Sequence, residues 1–178
     1  MRNYKTEGII IKRRNIGEAD RILTVFTKKN GKISIKAPGV RKIKSKRSPH
    51  IEVLNLSILS IYKGKTWPLL IEAETLETFS DIKNYLPKIA TAYHVCEIVD
   101  GLCPEHEENK EVFFLLKEFL KRLSFEKETE LTNEFERNLL KILGFYPKNI
   151  NKELNTSFFI EQILERKLKV KQIMQKLL

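Results

Sequence analysis

His94, Cys96, Cys103 and His106 place two imidazoles and two thiols within 13 residues, an inventory that zinc sites use. Helix geometry argues against a shared ion. Residues two apart on a helix point about 200° apart, so His94 and Cys96 cannot both face one metal. Cys96 and Cys103, seven apart, share an apolar face with Tyr93 and Val99 and are assigned to the core. A nucleophilic Ser or Cys would need a base at hand, and the remaining histidine, His50, stands beside a run of cations with no acid adjacent. Gly64-Lys65-Thr66 mimics the end of a phosphate-binding loop, but that motif demands glycine where Leu59 stands, so a hairpin turn is expected there. Glu18 and Asp20 could share a divalent ion, as a metal-dependent nuclease would require, yet Arg14 and Arg21 direct them to ion pairing. No catalytic residue, metal or cofactor is expected.

What remains is positive charge, and its distribution matters more than its total. The chain carries 33 Lys plus Arg against 23 Asp plus Glu, a formal net charge of +10. Residues 1–70 hold 17 of these cations against four acids, a net of +13, and the other 108 residues carry a net of −3. A field concentrated in one segment suits a polyanion. Nucleic acid is favoured over an anionic membrane, because no strongly basic amphipathic helix falls in that segment. The candidate phosphate contacts are Lys12, Arg13, Arg14, Arg21, Lys36, Arg41, Lys42, Lys44, Lys46, Arg47, Lys63 and Lys65. Any one of them taken alone reads as a solvated surface charge. The run Arg41, Lys42, Lys44, Lys46, Arg47 is different, since five like charges in seven residues, broken only by Ile43 and Ser45, repel one another without a partner. Phe26, Tyr62 and Trp67 could stack on bases, but each is assigned first to the core.

The elements that must carry these residues change character near residue 80. The chain of 178 residues can hold one compact domain or two small ones. Its longest apolar run, residues 112–116, is far too short to span a membrane, and the start Met1-Arg2-Asn3-Tyr4-Lys5 lacks the apolar stretch of a signal peptide. With only two cysteines, a reduced cytoplasmic setting is expected. Before residue 80, β-branched runs at residues 6–12, 22–27, 32–37, 53–62 and 68–77 read as five strands. Asn30-Gly31 predicts a tight type I′ hairpin with two positive φ values. In the following strand Ile33, Ile35 and Ala37 face one side, Ser34 and Lys36 the other. The basic stretch between Pro38 and Pro49 then falls where a five-stranded Greek-key barrel of the oligonucleotide-binding (OB) type carries a long insertion.

After residue 80 the period is helical. Ile89, Ala92, Tyr93, Cys96, Val99 and Cys103 mark a helix starting at Pro87; Val112, Leu115, Leu116, Phe119, Leu120 and Leu123 a second; Phe135, Leu139, Ile142 and Leu143 a third, stopped by Gly144. A last helix is predicted from Ser157 to the C-terminus, with Ile160, Ile163, Leu164, Leu168 and Leu177 buried. The predicted fold class is α+β, an N-terminal OB barrel over residues 1–79 followed by an all-α domain over 80–178.

One ordered series of residues resembles a known family. Residues 6–13, Gly17-Glu18-Ala19-Asp20-Arg21-Ile22-Leu23, Phe26-Thr27, Gly31-Lys32-Ile33, residues 37–41 and Ser45 are similar to the N-terminal domain of the RecO recombination mediators. Ile71-Glu72-Ala73-Glu74, Ala92-Tyr93 and Leu143-Gly144-Phe145-Tyr146-Pro147 continue the likeness, which covers about residues 4–147. The resemblance implies a non-enzymatic role in bacterial DNA repair, close to the nucleoid. It implies binding to single- and double-stranded DNA, annealing of complementary strands, association with RecR and with the C-terminal tail of single-stranded DNA-binding protein, and indirect help in loading RecA. The tail would suit an apolar groove rimmed by groups such as Lys117, Lys121 or Arg122. Many relatives carry a four-Cys zinc module after the Leu-Gly-aromatic-x-Pro segment; here no Cys follows Cys103, and residues 148–156 are polar. The alternatives are an OB-fold RNA-binding protein and, behind it, the nuclease using Glu18 and Asp20.

Overall fold

A computed structural model describes residues 2–149 and 153–177, with side chains followed to residue 173. Five strands, β1 (Asn3–Ile16), β2 (Asp20–Thr27), β3 (Gly31–Ala37), β4 (Leu56–Lys63) and β5 (Pro68–Glu77), close a barrel in the order β1-β2-β3-β5-β4. This is the OB arrangement that strand number and spacing predict. Alternation along the strands sends Ile10, Leu23, Val25, Ile33, Ile35, Leu59, Ile61 and Leu70 into one core, joined by Val40 and Ile51 from the connection between β3 and β4. β1 is longer than the apolar pattern alone indicates. It pairs with β4 through its first half and with β2 through its second, and a bulge between Ile10 and Lys12 lets one strand serve both. Closure is thinnest between β3 and β5, which run parallel and share the single pair Lys36↔Leu69.

The hairpin between β2 and β3 forms, but not as the type I′ turn that Asn-Gly predicts. Gly31 has φ of 63°, whereas Asn30 is not among the positive-φ residues, and Thr27 Oγ1 closes the turn by donating to Gly31 O and accepting from Asn30 N–H. Gly31 has a second reason to be glycine. A Cβ there would stand 1.9 Å from the carbonyl oxygen of Glu107. The segment Cys103–Phe113 packs with the barrel, Lys32 bridging to Glu105, Lys32 O accepting from His106 N–H, and Ser34 Oγ donating to Glu105 at 2.8 Å. Gly31→Ala combines a strained φ with a backbone clash and is expected to destabilise the chain by roughly 2–4 kcal/mol. A thermal melt indistinguishable from the parent would show that residue 107 does not approach there.

Contacts divide the chain into two units: the barrel through Phe79 together with Cys103–Phe113, and the remaining helical part. The helices are α1 (Ser80–Lys83), α2 (Leu86–Leu102), α3 (Lys110–Leu123), α4 (Glu128–Ile142), α5 (Thr156–Leu164) and α6 (Lys169–Leu177). α3 and α4 bury most of the predicted faces, with Leu115, Ile142 and Leu143 only half-buried, Phe119 and Phe135 edge to face at 5.0 Å, and Gly144 following α4 at φ 78°. Two expectations fail. α2 is buried over most of its circumference, so His94 is buried while Tyr93, assigned to the core, is 40% exposed. The single C-terminal helix is two, divided by Glu165 at φ 53°. Glu97 on α2 makes the break by accepting from the N–H groups of Lys169 and Val170, which gives α6 a fresh N-terminus. Ile160 and Leu168 are buried as predicted. The Leu177 side chain and residues 150–152 lie outside the described residues.

Candidate nucleic-acid interface

The basic stretch forms the connection from β3 to β4, and it is tied down at both ends. On the entering side Gly39 N–H donates to Asp20 Oδ1 at 2.8 Å, Arg41 N–H to Ala19 O at 2.9 Å, and Arg41 Nη1 to Gly17 O at 3.1 Å. On the leaving side Arg47 donates to Leu70 O and Pro38 O, and the short 3₁₀ turn Ser48–Ile51 carries His50 to Thr75 on β5. Between these ties Lys42, Ile43, Lys44 and Lys46 are exposed. Ile43, at 105% relative exposure, is the one apolar side chain among these cations. An unpaired base offers a face that such a residue can cover.

The other predicted contacts fall into two sets. Lys12, Arg13 and Arg14 line the exposed second half of β1, but Arg13 is paired with Glu52. Arg21 lies 3.7 Å from the same carboxylate and donates Nε to Asn15 Oδ1. Desolvation, then the nearby charge of Arg13, and also Arg41, lower the proton affinity of the Arg21 guanidinium, with Glu52 opposing. Two guanidiniums thus share one carboxylate, with Arg41 adding positive charge near Arg21, a cluster that a phosphate group would relieve. Lys36 is bound 3.0 Å from Asp20, and Lys63 lies over the Tyr4 ring at 5.5 Å. Arg14, Lys42, Lys44, Lys46 and Lys65 make no ion pair among the described residues. Phe26 is fully buried as expected, whereas Trp67 stands 37% exposed in the β4–β5 turn beside Lys65. The partly exposed indole corrects the assignment of Trp67 to the core.

Reaction chemistry finds little here. Asp20 spends one oxygen on Gly39 N–H and the other on Lys36, which together hold its carboxyl below the usual aspartate value. Burial, helped by Asp100, pushes the Cys96 thiol up to about 12, so it is no nucleophile at neutral pH. Zinc does not fit. Both cysteines are buried, and no three His, Cys, Asp or Glu side chains converge among the described residues.

The family model "Recombination protein O N terminal" covers residues 1–79, and "Recombination protein O C terminal" covers residues 84–151. The chain belongs to the RecO family. DNA repair protein RecO of Dehalococcoides mccartyi strain ATCC BAA-2266 is 37% identical over 147 residues, 82% of this chain and 58% of that protein. The RecO of Pelotomaculum thermopropionicum is 32% identical over 147 residues, 83% of this chain and 57% of its own length. For Roseiflexus strain RS-1 the figures are 35% over 148 residues, 83% and 52%. The chain therefore spans somewhat over half the length of these RecO relatives. The RecO N-terminal match coincides with the barrel strands and the tethered loop.

The RecO C-terminal match runs from α2 through α4, and in the helical unit the polar centre is not on the surface expected. Arg122 is bound by Glu126 and by Glu134, so its guanidinium does not rim a groove as a free cation. A cavity of about 390 Å³ is lined by Pro87, Ala90, His94, Val170 and Lys171 among others. Behind it lies Glu136, 0% exposed, which accepts from His94 Nε2 at 2.9 Å and from the hydroxyls of Thr156 and Ser157. Among the described residues no helix is long and apolar enough to cross a membrane.

Proposed function

We propose that this RecO-family chain is a non-enzymatic DNA mediator that binds single- and double-stranded DNA through the barrel and anneals complementary strands. The observation that supports this most is the tethered loop of exposed cations, Arg41, Lys42, Lys44 and Lys46, with Arg14 and Lys65 unpaired on the same barrel. Annealing requires that phosphate repulsion between two strands be offset while their bases stay accessible, which surface Lys and Arg achieve without covalent chemistry. In this reading the bacterial cytoplasm is the setting, and RecR, the tail of single-stranded DNA-binding protein and, through them, RecA are the partners. An acidic tail with apolar residues suits the cavity beside His94 and Lys171 better than the surface around Arg122.

Salt titration of binding to a labelled oligonucleotide tests the reading. If six to ten phosphates are contacted, affinity falls roughly 10³–10⁵-fold between 50 and 200 mM salt. Binding that ignores salt overturns it. An RNA of equal length that displaces DNA at lower concentration turns the assignment to an RNA-binding barrel. Cleavage of DNA on adding magnesium or manganese returns it to the nuclease. The functional step is read as faster annealing of complementary strands coated with single-stranded DNA-binding protein.

A further inference from the structure

Arg47 differs from the other cations of the loop, because both terminal nitrogens of its guanidinium are spent on barrel carbonyls, whereas Arg41 gives only Nη1, to Gly17 O. Arg47 Nη1 donates to Leu70 O at 2.7 Å and Nη2 to Pro38 O at 2.6 Å. Those carbonyls flank the point where closure is thinnest, just past the single β3–β5 pair Lys36↔Leu69. The ladder cannot continue from β3, since Pro38 has no N–H to donate. The planar fork of Arg47 takes its place and serves an acceptor on each strand, which a lysine ammonium cannot reproduce in the same geometry. Three residues on, His50 Nδ1 accepts from Thr75 N–H at 3.2 Å and lies 2.9 Å from the Thr75 hydroxyl, while His50 O accepts from Ser57 Oγ at 2.7 Å.

We propose that Arg47, assisted by His50, is a positioning residue for nucleic-acid binding rather than a phosphate contact. It staples the seam between β3 and β5 and so holds residues 41–46 in one arc, their cations ordered before a strand arrives. A loop ordered in advance loses no freedom on binding, and that saving appears as affinity. This inference rests on the reading of the loop as the DNA contact.

The experiment uses the full chain with Arg47→Lys and Arg47→Ala, a fluorescent single-stranded oligothymidylate, and binding isotherms from 50 to 200 mM salt. The two variants are expected to behave alike, about tenfold weaker than the parent. The salt slope should be shallower by roughly 1.4–2, because two or three contacts at about 0.7 each are lost together. Trypsin should cut after Lys42, Lys44 or Lys46 sooner in both. If Arg47→Lys binds as the parent does and Arg47→Ala loses only about 0.7 of slope, Arg47 is an ordinary phosphate contact and the inference is overturned. Parental binding in both variants, with the loop opened to trypsin, confines Arg47 to stability and overturns it equally. Should neither variant fold, His50→Ala cuts only the Thr75 tie; it is expected to weaken binding in the same direction, and unchanged affinity there sinks the proposal. Failure of the underlying reading looks different: a chain with Arg41, Lys42, Lys44 and Lys46 all replaced by Ala would keep parental affinity.

Discussion

Replacing Arg41, Lys42, Lys44 and Lys46 together with alanine is expected to weaken single-stranded DNA binding roughly 10²-fold near 100 mM salt, with the fold intact. Each exposed cation that meets a phosphate releases condensed counterions, so four lost contacts flatten the logarithmic salt slope by about 2.8 on a single strand. The deficit should shrink as salt rises, because the parent loses those contacts' contribution to screening while the variant has none to lose. Arg47 is left in place on purpose. Its donors serve Leu70 and Pro38, and including it would confound a lost phosphate contact with a loosened barrel. The exposed tip carries no buried group, so the melting temperature should stay within the range of surface substitutions. Full-strength binding by a folded variant would move the site to Arg14, Lys65 and Trp67.

The strands and the basic loop were legible because their signals are local. Alternation at residues 33–37 and the charge run at 41–47 depend on no distant contact, and both stand where the pattern put them. What was hidden depends on residues far apart in the chain. Gly31 reads as a turn glycine, yet the carbonyl of Glu107 is what forbids a Cβ there. Glu165 has no helix-breaking character of its own, and the division of α5 from α6 comes from Glu97, nearly seventy residues earlier, which supplies acceptors to Lys169 and Val170. In the sequence His94 belongs only to a zinc-like inventory that helix geometry rejects, because its partner Glu136 lies on another helix. By charge alone Arg47 groups with its neighbours as one more phosphate contact, since sequence reports the charge of a guanidinium and not the carbonyls it reaches. The same blindness applies to Arg13 and Arg21, which share Glu52 across the barrel.

Glu136→Ala should be the most damaging single change in the helical unit. The carboxylate is wholly buried and joins α4 to His94 on α2 and to Thr156 and Ser157 at the start of α5, so its removal leaves three donors without their acceptor. Breaking a buried charged network from one side costs about 3–5 kcal/mol, which for a chain of this size lowers the melting temperature by roughly 10 °C. The pH dependence follows from the same contacts. Burial alone would raise the Glu136 carboxyl, but the hydrogen bonds from His94, Thr156 and Ser157 and the attraction of the His94 ring outweigh it and hold the group below the ordinary glutamate value. A carboxylate depressed in the folded state stabilises fully above its unfolded pKa of about 4.3, and that contribution disappears as the pH falls through the lower folded value. The parent should therefore lose helical stability in acid below about pH 4, and Glu136→Gln should show a shallower loss over that window because residue 136 no longer carries a carboxylate to protonate. Circular dichroism melts from pH 7 to pH 3 decide it, with equal acid sensitivity in parent and Glu136→Gln being the outcome that removes Glu136 from the account. Binding to the oligonucleotide provides the control. The loop cations belong to the barrel unit, so at temperatures where Glu136→Gln remains folded its DNA affinity and salt slope should match those of the parent.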